Sequence, residues 1–242
     1  METTVRFELD FHRHRKGQFI LCQQGILKCE AEDCFWTVPP HNALWVPGDT
    51  LHAVEFSGAV EGYNAFVDPA CTTCLPSTCC TLSVTPLLRE LLIRSAGLPD
   101  HYPDDGAESH LVTLLLDEIA AARVGDLHLP VPADRRLRKV LDTMLANPSR
   151  HGTITTWARR VGLSERTMSR LLMRETGMSF GRWRRQLHIM LALQKLAKGV
   201  SIQQVAMDLG YESVSSFSTM FRKALGAPPG RYMAEQHVVP LR

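Results

Sequence analysis

An α+β multidomain fold is predicted: an N-terminal all-β barrel, two helices behind it, and an all-α C-terminal half. Three observations predict it. Short apolar runs alternate with turn residues over residues 5–67. Apolar residues then recur at helical spacing, and from Arg135 onward one helical unit occurs twice. The charge also divides: residues 1–133 hold 8 Lys+Arg against 18 Asp+Glu, net −10, whereas residues 134–242 hold 19 against 7, net +12.

The barrel segment, within residues 1–80, has the runs QFILCQ, ALWVP and HAVEF, separated by Gly25, Pro39-Pro40, Pro47-Gly48 and Ser57-Gly58. A cysteine-rich loop follows at 70–81. Residues 81–124 carry the two helices, for packing or dimerisation. The first begins near Val84 with Leu87, Leu88, Leu91 and Leu92 on one face, and the second runs from about Asp105 to Arg123 with Leu111, Leu114, Leu115 and Ile119. These faces can serve a homodimer or pack on the barrel. The stretch GDLHLPVPAD, 125–134, has two prolines and a glycine and reads as a linker.

The all-α part, 135–242, repeats itself. Ala158, Val161, Gly162 and Leu163 recur 48 residues on as Ala206, Leu209, Gly210 and Tyr211. At an offset of 49, Met168, Leu171, Leu172, Arg174 and Gly177 match Phe217, Met220, Phe221, Lys223 and Gly226. Each copy is a helix, a glycine turn and a second helix with an apolar stripe, a double helix-turn-helix domain. Gly162 suits a turn needing positive φ, and Ser164 suits an N-cap. The arginine-rich connector from Ser179 to about Lys198 predicts a helix about 30 Å long. That is close to one DNA turn of about 34 Å, so two helices can address successive major-groove segments. A strongly basic half beside an acidic one points to a polyanionic partner, double-stranded DNA, or else to mutual attraction of the halves.

The segments VGLSERTMSRLLMRETGMSF and VAMDLGYESVSSFSTMFRKALGAPPGRY closely resemble the AraC/XylS-type DNA-binding domain, over about residues 134–235. The resemblance implies sequence-specific transcriptional control, with RNA polymerase as a further partner. By position it places base contacts at Arg166, Ser169 and Arg170 in the first copy, and at Val214, Ser215, Ser218 and Thr219 in the second. Arg222 and Lys223 suit phosphate contact.

In the N-terminal part, HRHRKGQFILCQQG fits the first cupin motif, with His12, His14, Gln18 and Gly25 on its spacing. WVPGDTLHAV supplies Pro47, Gly48 and His52 of the second. The barrel therefore resembles a cupin, and the PPHNALWVPGDTLH form resembles a subgroup found beside efflux or catabolic genes. His12, His14 and His52 can hold a divalent ion through imidazole nitrogens. Gln18 stands where catalytic cupins carry a carboxylate, which weighs against the alternative of a metal-dependent cupin enzyme, a dioxygenase or isomerase. A small-molecule pocket and inert histidines remain open. No cofactor is demanded; a divalent metal in the barrel is a candidate, and a small molecule or metal is the expected effector.

Seven cysteines in a chain without a secretory signal or an apolar run of membrane length favour free thiols and a cytoplasmic protein without a membrane partner. Cys71 and Cys74, in CTTCLPSTCC, form a candidate thiol sensor.

Overall fold

A computed structural model describes residues 8–31, 34–40, 42–99, 101–125 and 127–235. The strand expected to begin at residue 5 and the tail after residue 235 lie outside the described residues. The chain divides into two compact units, residues 1–32 with 38–127 and residues 33–37 with 128–242. A sheet-rich N-terminal part followed by a helical C-terminal part is the predicted fold class.

The first unit holds strands β1 (Glu8–His12), β2 (Gly17–Ala31), β4 (Asn42–Val46), β5 (His52–Val67), β6 (Cys80–Ser83) and β7 (Val124–Gly125). They pair in the order β1-β5-β2-β4-β6-β7, antiparallel throughout. The long ladder between β2 and β5 joins Gln18 to Phe66 at one end and Ala31 to His52 at the other. In a flat ladder those ends would lie about 40 Å apart at roughly 3.3 Å per residue. Yet the His52 ring reaches within 3.0 Å of Gln18, so the sheet is rolled upon itself. Register shifts at Cys22–Gln24 and Gln24–Ile26 supply local bends.

Alternation along the strands divides this unit into layers. Phe19, Leu21, Ala43, Trp45 and Leu82 form one apolar layer with Leu88 and Leu92 of α1 (Pro86–Ser95) and Leu115 and Ile119 of α2 (Ala107–Ala121). Thr85 caps α1, its hydroxyl accepting from the Leu88 amide. Leu88, Leu92 and Leu115 are buried against the sheet, whereas Leu87 and Leu114 stay 50% and 43% exposed.

The second unit begins with a short antiparallel pair, β3 (Cys34–Val38) with β8 (His128–Pro130). The 125–134 stretch is therefore not an open tether over its whole length. Leu129 and Val131 join the buried core of the second unit, and the Trp183 indole N–H donates to the Pro130 carbonyl at 3.0 Å. Alternating Leu127, Leu129 and Val131 carry the strand period, and Pro130 is tolerated because the strand is short and lies at an edge.

Seven helices follow among the described residues: α3 (Arg135–Ala146), α4 (Ile154–Arg160), α5 (Glu165–Thr176), α6 (Phe180–Ala197), α7 (Ile202–Asp208), α8 (Val214–Leu225) and α9 (Pro229–Glu235). The caps repeat with the sequence. Ser164 accepts from Thr167 N–H, Ser213 accepts from Ser216 N–H, and Gly177 and Gly226 end their helices in the left-handed conformation. Trp157, Ala158, Met168, Leu171 and Leu172 pack with Leu137, Leu141 and Met144 of α3 and Trp183 of α6. In the second copy the rings of Tyr211, Phe217, Phe221 and Tyr232 contact in series, with centroids 5.5–5.8 Å apart. The connector α6 has 18 residues and is about 27 Å long.

Gly210 joins the two copies. Its φ is 77°, and a Cβ there would lie 2.5 Å from the Ser149 carbonyl oxygen and 2.8 Å from His151 Nε2. Only glycine meets both demands at that turn.

Candidate functional site

The second helix of each copy buries one stripe and exposes the opposite one. On α5 the buried stripe is Met168, Leu171 and Leu172, so Arg166, Ser169, Arg170 and Met173 lie across the helix from it at i, i+3, i+4 and i+7. All four are exposed, and with Glu165 and Arg174 they line one open cleft. Glu165 accepts from the Thr155 hydroxyl of α4, which ties the start of α5 to its partner helix.

On α8 the buried residues are Phe217 and Phe221. Ser215, Thr219 and Arg222 share an exposed face, Val214 is 40% exposed, and Lys223 is exposed. Ser218 departs from its expected full exposure and is half-buried, because it lies between the core stripe and that face. The repeat aligns Arg166 with Ser215, Ser169 with Ser218, Arg170 with Thr219 and Met173 with Arg222. The two helices thus offer unlike chemistry from one scaffold: long bidentate donors on α5, short hydroxyls on α8. Met173, 53% exposed, lies on the same face at i+7 from Arg166.

In the first unit His12, His14, Gln18 and His52 converge. β1 and β5 set His12 opposite His52. Two turns bring His14 in: the Asp49 amide donates to the His14 carbonyl at 2.8 Å. Gly48 permits this approach, since a Cβ there would lie 2.2 Å from the Arg15 carbonyl oxygen. Among the described residues, these three histidines are the one group of His, Cys, Asp or Glu placed to share an ion, with ligand atoms within 4.8 Å of one another.

Each ring is oriented from behind. Nδ1 of His12, His14 and His52 donates to the carbonyls of Asp10, Lys16 and Thr50 at 2.8, 2.7 and 2.9 Å. A carbonyl only accepts, so Nδ1 is the donor in each ring, and the Nε2 atoms of His14 and His52 face the Gln18 carboxamide at 3.1 and 3.0 Å. Burial holds the His52 pKa below the usual histidine value, helped by the nearby His12 and His14. Three imidazoles and one amide fit a borderline divalent ion such as Zn²⁺, Ni²⁺ or Cu²⁺. Phe66 meets the His14 ring edge-on at 5.1 Å; only the pairing of Gln18 with Phe66 brings it there, and no motif marks it.

Cys71 and Cys74 are exposed, whereas Cys22, Cys29, Cys34, Cys79 and Cys80 are buried. Burial pushes the Cys22 thiol up to about 12 and that of Cys80 up to about 11.

Residues 157–235 match the family described as a helix-turn-helix domain. The chain is 40% identical over 223 residues to the HTH-type transcriptional regulator NimR of Escherichia coli K12, covering 92% of this chain and 81% of that one. It is 34% identical over 107 residues to the HTH-type transcriptional regulator RipA of Corynebacterium glutamicum, covering 44% and 32%. The solved structure of ToxT from Vibrio cholerae O395 aligns over 98% of both chains at 13% identity, with a TM-score of 0.42. None of the described helices is long and apolar enough to cross a membrane. Likeness to NimR along most of both chains, with paired exposed helix faces in the matched domain, settles the class: the chain belongs to the AraC/XylS family of helix-turn-helix transcriptional regulators, DNA-binding proteins and not enzymes.

Proposed function

We propose that this regulator sets α5 and α8 into successive major-groove segments on one face of a duplex, under control of an effector bound in its cupin-type barrel. The observation that carries the DNA half is the stripe Arg166, Ser169, Arg170 opposite a fully buried core, on a half of the chain with net charge +12. Arg166 and Arg170 have the fork that pairs with guanine O6 and N7. Ser215 and Thr219, with Val214 and Ser218 beside them, allow close approach to the groove floor. Arg222 and Lys223 hold phosphates.

The effector is a small molecule or a divalent metal held by His12, His14, Gln18 and His52, and its binding biases how two copies of the DNA-binding domain are presented. Leu87 and Leu114 are the exposed apolar positions that suit a homodimer. The protein works in the cytoplasm beside RNA polymerase on a nearby efflux or catabolic gene. Cys71 and Cys74 are the exposed thiols through which an oxidant would act. Genome-wide mapping of bound DNA tests this reading: enrichment upstream of a transporter or catabolic operon supports it, and scattered binding without a shared sequence rejects it.

A further inference from the structure

We infer that Met173 is a specificity-determining residue: its thioether side chain reads the 5-methyl group of a thymine, in the base pair next to the one that Arg170 contacts. This rests on the reading that α5 enters a major groove. It gives that helix face a fourth reader, with a chemistry the other three lack.

Position comes first. Met173 lies seven residues from Arg166 and three from Arg170, on the face opposite Met168, Leu171 and Leu172. At 3.6 residues per turn it stands within about 20° of Arg166 around the axis, and about 4.5 Å beyond Arg170 along it. Base pairs are spaced about 3.4 Å apart. A helix lying along the groove therefore brings Met173 over the pair adjoining that of Arg170, on the side away from Arg166.

The neighbours leave this end of the face apolar. Arg174 lines the same cleft, but its Nη2 donates to Glu175 Oε1 at 2.9 Å. The other Glu175 oxygen accepts from the Asp134 amide at 3.0 Å, which fixes the carboxylate. Glu175 stands about 200° around the helix from Met173. Its hold on Arg174 thus draws the guanidinium away from the reading face and leaves a methionine that is 53% exposed. The aligned residue of α8 is Arg222, a cation suited to phosphate. At the same place in the scaffold, α5 offers a group that has no use for phosphate.

Chemistry then selects the base. A thioether donates no hydrogen bond. Over a purine it would cover N7, and O6 as well in guanine, without supplying a donor; over cytosine it would offer N4 a weak acceptor. Polar edges left dry and unpaired cost affinity. Thymine turns a methyl group into the major groove, and an unbranched, polarizable side chain packs on it without strain.

Binding of the full-length protein to its preferred duplex, obtained by selection from a random pool, tests this, with deoxyuridine replacing each thymine in turn. The exchange deletes the methyl group and keeps the base pairing. At the thymine adjoining the pair whose preference Arg170→Ala relaxes, uracil should weaken wild type about threefold to fivefold. Met173→Ala should bind the thymine and uracil duplexes equally. Met173→Leu should keep the preference, which also shows that substitution at position 173 leaves the helix folded. Arg170→Ala should lose affinity for both duplexes and keep their ratio. A preferred site without thymine at that pair, no uracil effect there in wild type, or an undiminished ratio in Met173→Ala would overturn the role of Met173 while leaving base reading by Arg170 intact. A pool that yields no preferred sequence overturns the groove reading of α5 along with this one.

Discussion

His188 Nδ1 lies 3.2 Å from the Tyr211 hydroxyl, joining α6 to the turn of the second helix pair. His188 is only 4% exposed, and burial, with the positive charges of Arg184 and His151 adding to it, holds its pKa down at about 4. The unfolded side chain takes up its proton near 6.5. Between these values the unfolded chain binds more protons than the folded one. Stability from this group is therefore complete above about pH 6.5, falls as the pH drops, and levels off below about 4. The interval corresponds to about 3 kcal/mol. Thermal unfolding of wild type and His188→Gln across that window should show a flatter pH dependence in the variant; parallel curves would remove His188 from the account.

Two glycine turns that look alike in sequence should respond unequally to alanine. Gly162 has φ 69° with nothing within 4 Å of an added Cβ, so Gly162→Ala should cost about 1–2 kcal/mol of backbone strain. Gly210→Ala adds the collision with Ser149 and His151 and should cost about 2–4 kcal/mol. Denaturant midpoints of the two variants measure the difference, and equal losses would show that the close approach contributes nothing.

Thiol exposure makes a third prediction. Under native conditions a maleimide should modify Cys71 and Cys74 and spare Cys22 and Cys80, whose thiols burial keeps protonated. All seven cysteines should react after denaturation. Peptide mapping checks this, and fast native labelling at Cys22 would contradict the packed barrel.

The regular parts of this fold were legible because local rules dictate them. Glycine turns, serine caps and a 3.6-residue stripe mark each copy of the helix pair, and the repeat doubles the signal. Buried stripes such as Met168, Leu171 and Leu172 fix the opposite face, so Arg166, Ser169 and Arg170 follow from the sequence alone. Ser218 did not follow as cleanly, since a residue at the stripe's edge is decided by the bulk of its neighbours. Non-local pairing is where legibility ended. Spacing put His12, His14 and Gln18 in one segment and the second motif supplied His52, but only the rolled ladder brings Phe66 to His14. Prolines hid β8, because its partner β3 lies more than 90 residues earlier in the chain.

The central claim is base reading by two unlike helices, and selection of bound duplexes from a random pool by the purified full-length protein tests it most directly. The account predicts a preferred site with two conserved blocks about one helical turn apart. Arg170→Ala should lose about 1–3 kcal/mol on that site and relax preference at one base pair. Arg222→Ala should instead weaken all duplexes alike and lower the salt slope by about one. Wild-type protein that enriches no sequence over random duplex, or an Arg170→Ala profile identical to wild type, would contradict it.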